Sequence, residues 1–176
     1  MRDVSLSGLR DARVLLTGAT GFLGAAVARS LLAVGARVSI FTRETADFSR
    51  LRDVLEQLDR QDGDLRTFST VRRAVDKSAP DFVAHLAAAG VTDPLLPVEA
   101  ALRNNLHGTL NLLKAVAGRS KIVVARTPGE LSAMNVYAAS KAAAWQFAQL
   151  YARTEGLPVL GLMPFQCYGS GQPERQ

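Results

Sequence analysis

Short apolar runs alternate with longer amphipathic segments along most of the chain. Apolar runs between turn residues predict buried strands, whereas apolar positions spaced three or four apart predict helices. The strands are predicted at 12–17, 37–41, near 64–66, 82–86, 121–125 and 158–163, and the helices at 25–34, 48–58, 70–77, 98–117 and 136–154. Strands separated by helices of this length need parallel crossover connections. The pattern therefore predicts one α/β domain over residues 1–176, with a doubly wound parallel sheet in three layers.

The composition is that of a folded domain with a modest excess of positive charge. Of the 176 residues 48% are hydrophobic, yet no apolar run approaches the ~20 residues of a membrane span. The amino terminus lacks the apolar core of a secretory signal, and the single cysteine, Cys167, excludes an internal disulfide, so we expect a cytoplasmic protein without a membrane partner. Lysine and arginine number 21 against 16 acidic residues, but they are scattered and only 6% of residues are aromatic. We therefore expect no nucleic-acid partner, and the charge suits an anionic small molecule such as a dinucleotide or nucleotide-sugar.

The segment 18–24, Gly-Ala-Thr-Gly-Phe-Leu-Gly, joins the first predicted strand to the first predicted helix. Glycines at such a junction let the backbone turn tightly and approach a pyrophosphate, while the helix amino terminus presents free N–H groups. The strand–turn–helix context that a dinucleotide site requires is present. We therefore predict dinucleotide binding here, with a purely structural turn as the alternative. The predicted contacts are Gly18, Thr20, Gly21, Phe22, Leu23 and Gly24.

The second predicted strand ends in Thr42 and Arg43, without the acidic residue that would bind the adenosine ribose diol of NAD. The missing carboxylate removes repulsion toward a 2′-phosphate, and the Arg43 guanidinium could pair with that phosphate or stack on adenine. We therefore expect NADP as the cofactor, with NAD possible. A solvated surface arginine is the alternative.

Tyr137 and Lys141 stand four residues apart in the last predicted helix, so their side chains share one face. A phenol with a pKa of about 10 is a poor acid or base at neutral pH. A nearby ammonium group and the positive nicotinamide ring of an oxidised cofactor favour the phenolate and lower the pKa of the phenol. We therefore predict that Tyr137 is the catalytic acid/base, and that Lys141 tunes it and holds the nicotinamide ribose.

Together these motifs resemble the extended branch of the short-chain dehydrogenase/reductase superfamily, the NAD(P)-dependent epimerase/dehydratase family. The glycine loop has two residues between each pair of glycines, and 137–141 reads YAASK. The resemblance extends over 13–172 and implies a Rossmann-like fold. Three further segments carry it: His85-Leu86-Ala87-Ala88 (HLAA in the family), Asn105-Leu106-His107-Gly108-Thr109 (Asn-x-x-Gly-Thr) and 163–172 (RPFNVYGPGQ).

The resemblance implies roles for residues outside the glycine loop. Asp64 and Leu65 resemble a pair beside the adenine ring, where the aspartate accepts a hydrogen bond from the exocyclic amine; without the resemblance Asp64 is simply a turn residue. Asn105 is implied to brace the backbone near the catalytic residues. His85 is expected to be packed and hydrogen-bonded rather than a proton donor. The other implied contacts are Leu86, Ala87, Ala88 and Pro164 for the cofactor and Gln166 for the substrate, with no metal.

A threonine or serine that polarises the substrate oxygen is implied just after the fifth strand. Thr127 takes this place, with Ser132 as the alternative. Thr127 lies 10 residues before Tyr137, a shorter interval than extended members usually have. The residues after Thr127 are Pro128-Gly129-Glu130, so the Thr-Asp-Glu triplet of nucleotide-sugar 4,6-dehydratases is missing. This absence argues against a dehydratase.

The resemblance implies an NAD(P)-dependent oxidoreductase or epimerase that transfers hydride at a carbonyl or hydroxyl carbon of a nucleotide-sugar, as a ketoreductase or C4 epimerase. Met163 and Gln166 replace an arginine and an asparagine of the family pattern. Family members normally continue into a smaller carboxyl-terminal substrate domain, and we expect this domain to be absent or truncated here. The alternatives are a non-catalytic or repurposed dinucleotide-binding module, or altered chemistry in specialised metabolism.

A homodimer is also implied, formed by the two long helices predicted at 98–117 and 136–154. The alanines of the second helix permit close approach, and Trp145 and Phe147 are available as anchors. A helix buried within one chain would have a similar composition.

Overall fold

The computed structural model describes residues 6–91, 93, 95–169 and 171–172. Within these residues the strands are β1 (Arg13–Thr17), β2 (Arg37–Thr42), β3 (Asp59–Asp62), β4 (Phe82–His85), β5 (Lys121–Ala125) and β6 (Val159–Leu162). The helices are α1 (Phe22–Ala33), α2 (Phe68–Ser78), α3 (Val98–Ala101), α4 (Gly108–Val116) and α5 (Val136–Thr154). All strands are parallel and lie in the order β3-β2-β1-β4-β5-β6. The predicted three-layer, doubly wound, Rossmann-like α/β fold is confirmed.

Helices cover both faces of the sheet. Successive residues of β1 point to opposite faces, so Val14 and Leu16 pack toward α1, whereas Leu15 packs toward α2, α4 and α5. Both sides of the central strands are therefore buried, which is why those strands form continuous apolar runs in the sequence.

The strand order reverses at β1, which lies between β2 and β4. In open sheets of this kind, ligands bind outside the carboxyl ends of the strands, next to the reversal. We call this side of the sheet the carboxyl edge and the opposite side the amino edge. Thr17, Thr42 and His85 are the last residues of three central strands and lie at the carboxyl edge.

Two predicted elements were wrong. The third strand lies at Asp59–Asp62 rather than near 64–66, because it is a polar edge strand with no apolar run to mark it. The predicted helix at 48–58 is instead a pair of short 3₁₀ turns, Ser49–Leu51 and Leu55–Gln57. Leu51 is fully buried against the α1 side of the sheet. An apolar residue was needed at this position for packing, and it gave the sequence the spacing of an amphipathic helix although none forms.

The two long helices differ in how closely they follow prediction. The last helix, α5, and the strand before it, β5, have the predicted bounds. The helix predicted at 98–117 is interrupted by a π-helical turn over Leu102–His107, between α3 and α4. Trp145, expected to be available for a dimer contact, instead packs against the core under the Arg126 guanidinium, which lies 4.5 Å from the ring centroid.

Candidate active site

The glycine loop lies directly against the backbone at the end of β4. Gly18 has a φ of +76°, and a Cβ built on it would lie 2.6 Å from the Ala87 nitrogen and 2.8 Å from the Leu86 carbonyl carbon. A Cβ on Gly24, in the first turn of α1, would lie 2.0 Å from the Gly18 oxygen. Both positions therefore exclude any side chain. The loop packs backbone against backbone here, and we call the tight turn 18–24 the glycine cradle.

The amino terminus of α1 opens onto this cradle. The first N–H groups of a helix have no partner within the helix, and the residue before α1 is Gly21, which has no side chain to cap them. Gly21 is fixed by a bond from its own N–H to the Gly18 oxygen at 3.1 Å. Uncapped N–H groups at a helix start, next to a turn whose glycines allow close backbone approach, suit a diphosphate. All the predicted loop contacts lie in this turn: Gly18, Thr20, Gly21, Phe22, Leu23 and Gly24.

His85 is buried at the carboxyl end of β4, with both ring nitrogens hydrogen-bonded. Nδ1 lies 2.7 Å from Thr17 Oγ1, and Nε2 lies 2.9 Å from Thr109 Oγ1. Burial, and then the charge of Lys141, lower the pKa of His85 to about 3, so the ring is neutral at physiological pH. The expectation that His85 is packed and hydrogen-bonded is confirmed. Leu86, Ala87 and Ala88 follow it and are half-buried beside the glycine cradle.

Asn105 lies in the π-helical turn and is buried. Its Oδ1 accepts from the Ala89 N–H at 2.8 Å, and its Nδ2 donates to the Ala89 carbonyl at 2.9 Å. The same Nδ2 donates to Ser140 Oγ, also at 2.9 Å, and Ser140 Oγ donates to the Tyr137 carbonyl at 2.7 Å. Asn105 thus holds the segment after β4 and the first turn of α5 together.

The adenosine end of the predicted cofactor site combines a free hydroxyl with a dense group of charges. Thr42 Oγ1 is buried and has no hydrogen-bond partner among the described residues. Arg43 is exposed beside it. Asp64 forms an ion pair with Arg66 at 2.6 Å, and Arg66 foremost, with Arg43 as a smaller contribution, lowers the pKa of Asp64. An adenine amine at Asp64 would therefore compete with Arg66.

Leu65 follows Asp64 and is fixed from the other side. Its carbonyl accepts from Asn111 Nδ2 at 2.8 Å, and its side chain packs against the core. A Cβ on Gly108 would lie 3.1 Å from the Leu65 Cβ. The predicted Asp64–Leu65 pair therefore lies beside the first turn of α4 and just beyond the carboxyl end of β3, and these contacts fix its backbone.

Tyr137 and Lys141 lie one turn apart at the start of α5, which Asn135 caps by accepting from the Ala138 N–H at 2.8 Å. Lys141 is 3% exposed, and burial lowers its pKa to about 8, with Glu130 opposing and Arg126 adding to the shift. Burial, and then the charge of Glu130, raise the pKa of the half-buried Tyr137. The predicted lowering of the phenol pKa is therefore wrong for the protein alone, since desolvation and a carboxylate dominate at Tyr137.

Sequence analysis missed Glu130 as a site residue. Its side chain is 1% exposed, its Oε1 accepts from the Thr127 N–H at 2.9 Å, and its Oε2 accepts from Arg126 Nε at 2.8 Å. The signal was present, because an acidic residue three positions after a threonine can close a tight turn onto that threonine's N–H. Glu130 fixes the backbone of Thr127, which is half-buried; Ser132, the alternative, is exposed beyond the turn.

The turn Pro128–Leu131 packs against the first turn of α5. A Cβ on Gly129 would lie 3.2 Å from the Ala138 Cβ, next to Tyr137. The structure therefore brings the predicted catalytic residues Thr127, Tyr137 and Lys141 into one region at the carboxyl edge.

The segment after β6 turns back over the carboxyl edge. Pro164 is half-buried and Gln166 is exposed. A Cβ on Gly169 would lie 3.8 Å from the Phe22 ring, and the Gly171 carbonyl accepts from Arg50 Nε at 3.3 Å. The predicted substrate residue Gln166 thus belongs to a segment that crosses above the glycine cradle. Ser170, in the family-like segment, lies outside the described residues.

Two further findings concern the described residues alone. They contain no group of three or more His, Cys, Asp or Glu side chains placed to hold a metal ion. None of their helices is long and apolar enough to span a bilayer.

The family model for the NAD dependent epimerase/dehydratase family matches residues 14–176. The chain belongs to this family. A probable dTDP-glucose 4,6-dehydratase of Sinorhizobium fredii is 27% identical over 179 residues, covering 84% of this chain and 51% of the relative. The CDP-glucose 4,6-dehydratase of Salmonella typhimurium is 32% identical over 126 residues, covering 64% of this chain and 33% of the relative.

Among solved structures, the Thermus thermophilus UDP-glucose 4-epimerase in complex with NAD superposes with a TM-score of 0.72. It is 31% identical, and the match covers 86% of this chain and 54% of that one. The chain thus spans about half the length of the S. fredii relative and of the T. thermophilus structure. Family membership and fold agree with the motif-based prediction.

Proposed function

We propose that this chain binds NAD(P) and transfers hydride at a carbonyl or hydroxyl carbon of a nucleotide-sugar, as a ketoreductase or C4 epimerase. One observation carries the proposal: the glycine cradle and the Tyr137–Lys141 pair lie on the same carboxyl edge of one sheet. A buried lysine beside a half-buried tyrosine is costly to fold and has an evident use at a reacting oxygen.

The residues divide the work as follows. Gly18 and the first turn of α1 hold the diphosphate, and the Lys141 ammonium donates to the nicotinamide ribose hydroxyls. The Thr127 hydroxyl donates to the substrate oxygen, and Tyr137 Oη exchanges a proton with that oxygen. When bound, the nicotinamide accepts or supplies the hydride.

The raised pKa of Tyr137 keeps the phenol protonated in the protein alone. A protonated phenol donates its proton to a carbonyl oxygen, so the site in this state is prepared for ketone reduction. Oxidation of an alcohol needs the phenolate, which the positive charge of an oxidised nicotinamide would favour.

Glu130 argues against dehydration, although two relatives bear the name of 4,6-dehydratases. A dehydratase needs a free base to remove a proton from carbon. Both carboxylate oxygens of Glu130 are already engaged, one by Arg126 and one by the Thr127 N–H. Its arrangement supports a role in holding Thr127.

NADP is the proposed preference, with NAD also accepted. Arg43 at the tip of β2 is exposed, where its guanidinium can meet a 2′-phosphate. The T. thermophilus structure is a complex with NAD, which supports keeping the unphosphorylated cofactor in the proposal.

A homodimer through the α3–α5 side is also proposed. Four large apolar side chains on α5, on α3 and in the π-helical turn are 38–51% exposed: Val98, Leu102, Phe147 and Leu150. Light scattering of the wild type and of Phe147→Glu tests this, since a dimer through this surface should become a monomer.

The function is tested with Tyr137→Phe and the matched control Tyr151→Phe, which changes a tyrosine of the same helix packed against the core. NADH and NADPH are titrated against each protein, and UDP-, dTDP- and CDP-hexoses and their 4-keto forms are supplied as substrates. Tyr137→Phe should lower turnover by about 100-fold or more and leave coenzyme affinity unchanged, because a positioned acid/base contributes at least this much.

Three results would contradict the proposal. Wild-type protein that binds neither coenzyme removes the cofactor role. Coenzyme binding without turnover of any sugar favours the non-catalytic module. Equal turnover in Tyr137→Phe and Tyr151→Phe removes the catalytic assignment of Tyr137.

A further inference from the structure

A buried chain of hydrogen bonds runs from the glycine loop to the catalytic helix. We call it the polar chain; its members, each at most 3% exposed, are Thr17, His85, Thr109, Asn105 and Ser140. It begins where β1 leads into Gly18 and ends at the carbonyl of Tyr137. It links elements that are far apart in the sequence but adjacent at the carboxyl edge.

Counting donors fixes the direction of every bond in the first half of the chain. Thr109 Oγ1 donates its only proton to the backbone carbonyl of Asn105 at 2.6 Å, so it can only accept from His85 Nε2. Because the buried ring is neutral, His85 Nδ1 then carries no proton and accepts from Thr17 Oγ1. Thr17 Oγ1 in turn accepts from the Ala87 N–H at 3.3 Å. His85 is therefore the neutral Nε2–H tautomer, in agreement with its burial between two hydroxyls.

The second half of the chain is equally determined. Asn105 Nδ2 uses both of its protons, one for the Ala89 carbonyl and one for Ser140 Oγ. Ser140 Oγ passes its own proton to the Tyr137 carbonyl. The polar chain thus has no unused donor, and reversing one member would break its neighbours' bonds.

We propose that His85, Thr109 and Ser140 are positioning residues that set Tyr137 against the nucleotide cradle through the polar chain. The chain contacts the two β-strand ends beside the cradle and the first turn of α5, so these parts can move only together. This inference rests on the proposed function, because positioning Tyr137 matters for turnover only if Tyr137 is the acid/base. The inference also gives the π-helical turn a purpose. Asn105, in this turn, bonds to the half of the polar chain next to α5, whereas Thr109, at the start of α4, bonds to the half next to β4.

The first test pairs Thr109→Val, which keeps the side-chain shape and removes the hydroxyl, with Thr109→Ser, which keeps the hydroxyl. Thr109→Val should lower turnover by about 10-fold or more with unchanged coenzyme affinity, because a small displacement of a catalytic group has effects of this size. Thr109→Ser should stay near wild type. Equal losses in the two variants would overturn the proposal.

Ser140→Ala cuts the polar chain at its other end and replaces Thr109→Val if that variant fails to fold. Its matched control is Ser120→Ala, which removes another buried serine hydroxyl, bonded to the Pro80 carbonyl at 2.6 Å on the amino edge. Both variants should lose a similar amount of thermal stability, but only Ser140→Ala should lower turnover. Equal turnover in both would overturn the positioning role.

Two readouts do not depend on any substrate and separate this inference from the proposed function. Nitrogen NMR of labelled histidine in the full chain should show His85 as the neutral Nε2–H tautomer from pH 8 to pH 5, with His107→Gln used to assign the second signal. Amide exchange of Ala138 and Ala139, in the first turn of α5, should be faster in Thr109→Val than in Ser120→Ala. A His85 that titrates in this range, or unchanged exchange in α5, overturns the polar chain even if the protein is an active enzyme.

Discussion

The two edges of the sheet hold opposite kinds of polar interaction. At the amino edge, charged side chains pair in solvent: Arg13 with Asp81 at 2.7 Å, and Asp76 with both Arg72 and Arg119. The side chains of these pairs are 40–49% exposed. At the carboxyl edge beside β1, β4 and α5 the polar groups are buried, and most of them are uncharged, whereas the charged pairs of that edge lie beyond β3. Exposed ion pairs contribute little to stability, whereas each buried polar group must be satisfied or it destabilises the fold.

The difference indicates which edge of the sheet holds a candidate reaction site. The amino edge is an ordinary charged surface. Its buried serine, Ser120, donates its hydroxyl proton to one backbone carbonyl. The carboxyl edge holds Lys141 and Glu130 with almost no access to water, together with the polar chain. Buried charges cost several kcal/mol each before they are compensated. Their concentration on one edge supports a reaction site there.

The largest effect is expected from a matched pair of glycines, one at each edge. Gly18→Ala and Gly118→Ala both place a Cβ on a residue with positive φ, +76° and +69°, but only Gly18 has backbone in the way. Gly118→Ala should cost about 1–2 kcal/mol of stability and leave coenzyme affinity unchanged. Gly18→Ala should weaken coenzyme binding by about 100-fold, or about 2.7 kcal/mol, because the cradle must open.

Isothermal titration with NADH and NADPH, together with thermal denaturation, measures both quantities. Equal coenzyme affinity in the two variants would show that the cradle does not hold the diphosphate.

A smaller effect is expected at the adenosine end of the carboxyl edge. Arg43→Gln should weaken NADPH binding by about 10-fold and leave NADH nearly unchanged, because one charge-assisted contact to a 2′-phosphate is worth about 1.4 kcal/mol at an exposed site. Arg52→Gln removes an exposed arginine away from the strand tip and serves as the control for long-range charge. If NADH and NADPH affinities fall together in Arg43→Gln, the arginine stacks on adenine instead. If neither falls, Arg43 is a surface residue.

The pH dependence of coenzyme binding should sharpen the contrast further. Lys141 holds its proton below its lowered pKa of about 8, so coenzyme affinity should fall several-fold as the pH rises through this value. Glu130 raises the pKa of Lys141, so Glu130→Gln should move the midpoint to lower pH. The coenzyme dissociation constant, measured from pH 6.5 to 9.5 in both proteins, tests this. Identical midpoints would mean that Glu130 does not act on Lys141.

The same group gives a stability prediction of opposite sign. The pKa of Lys141 is lowered from 10.5 to about 8 on folding, so between these values the unfolded chain binds more protons than the folded one. Stability contributed by this group therefore rises with pH across that window. As the pH rises through this window, coenzyme affinity should fall while the stability contributed by Lys141 rises. A loss of binding can therefore be distinguished from unfolding.

The fold could be predicted from the sequence, and candidate site residues could be proposed from it, because those signals are local. The glycine loop, the YAASK turn and the apolar strands each depend on a few neighbouring residues, and the chain's family membership follows from the same motifs. Three features could not be found in this way. β3 is a polar edge strand recognisable only by its pairing with β2. The Thr-x-x-Glu spacing marks Glu130 as a turn partner of Thr127, but its burial and its effect on Tyr137 and Lys141 are visible only in the fold. Single hydrogen bonds of the polar chain join residues up to 68 positions apart, so only the folded chain reveals it.

The smallest effect is expected from the ion pair at the amino edge. Arg13 holds the pKa of Asp81 down to about 2, through its side chain first and then through its backbone N–H, which binds the same carboxylate at 2.9 Å. Because the pair is exposed, Arg13→Met should lower Tm at pH 7 by less than about 3 °C. A carboxyl group with a lowered pKa stabilises the fold above its unfolded pKa and loses that effect as the pH falls toward its folded pKa. The difference in Tm between wild type and Arg13→Met should therefore shrink between about pH 4 and pH 2.

Coenzyme affinity should stay at the wild-type value throughout, since the pair lies at the far edge of the sheet from the glycine cradle. A change in affinity as large as that of Arg43→Gln would mean that the two edges are coupled through β1, and that the functional asymmetry between them is weaker than their burial indicates.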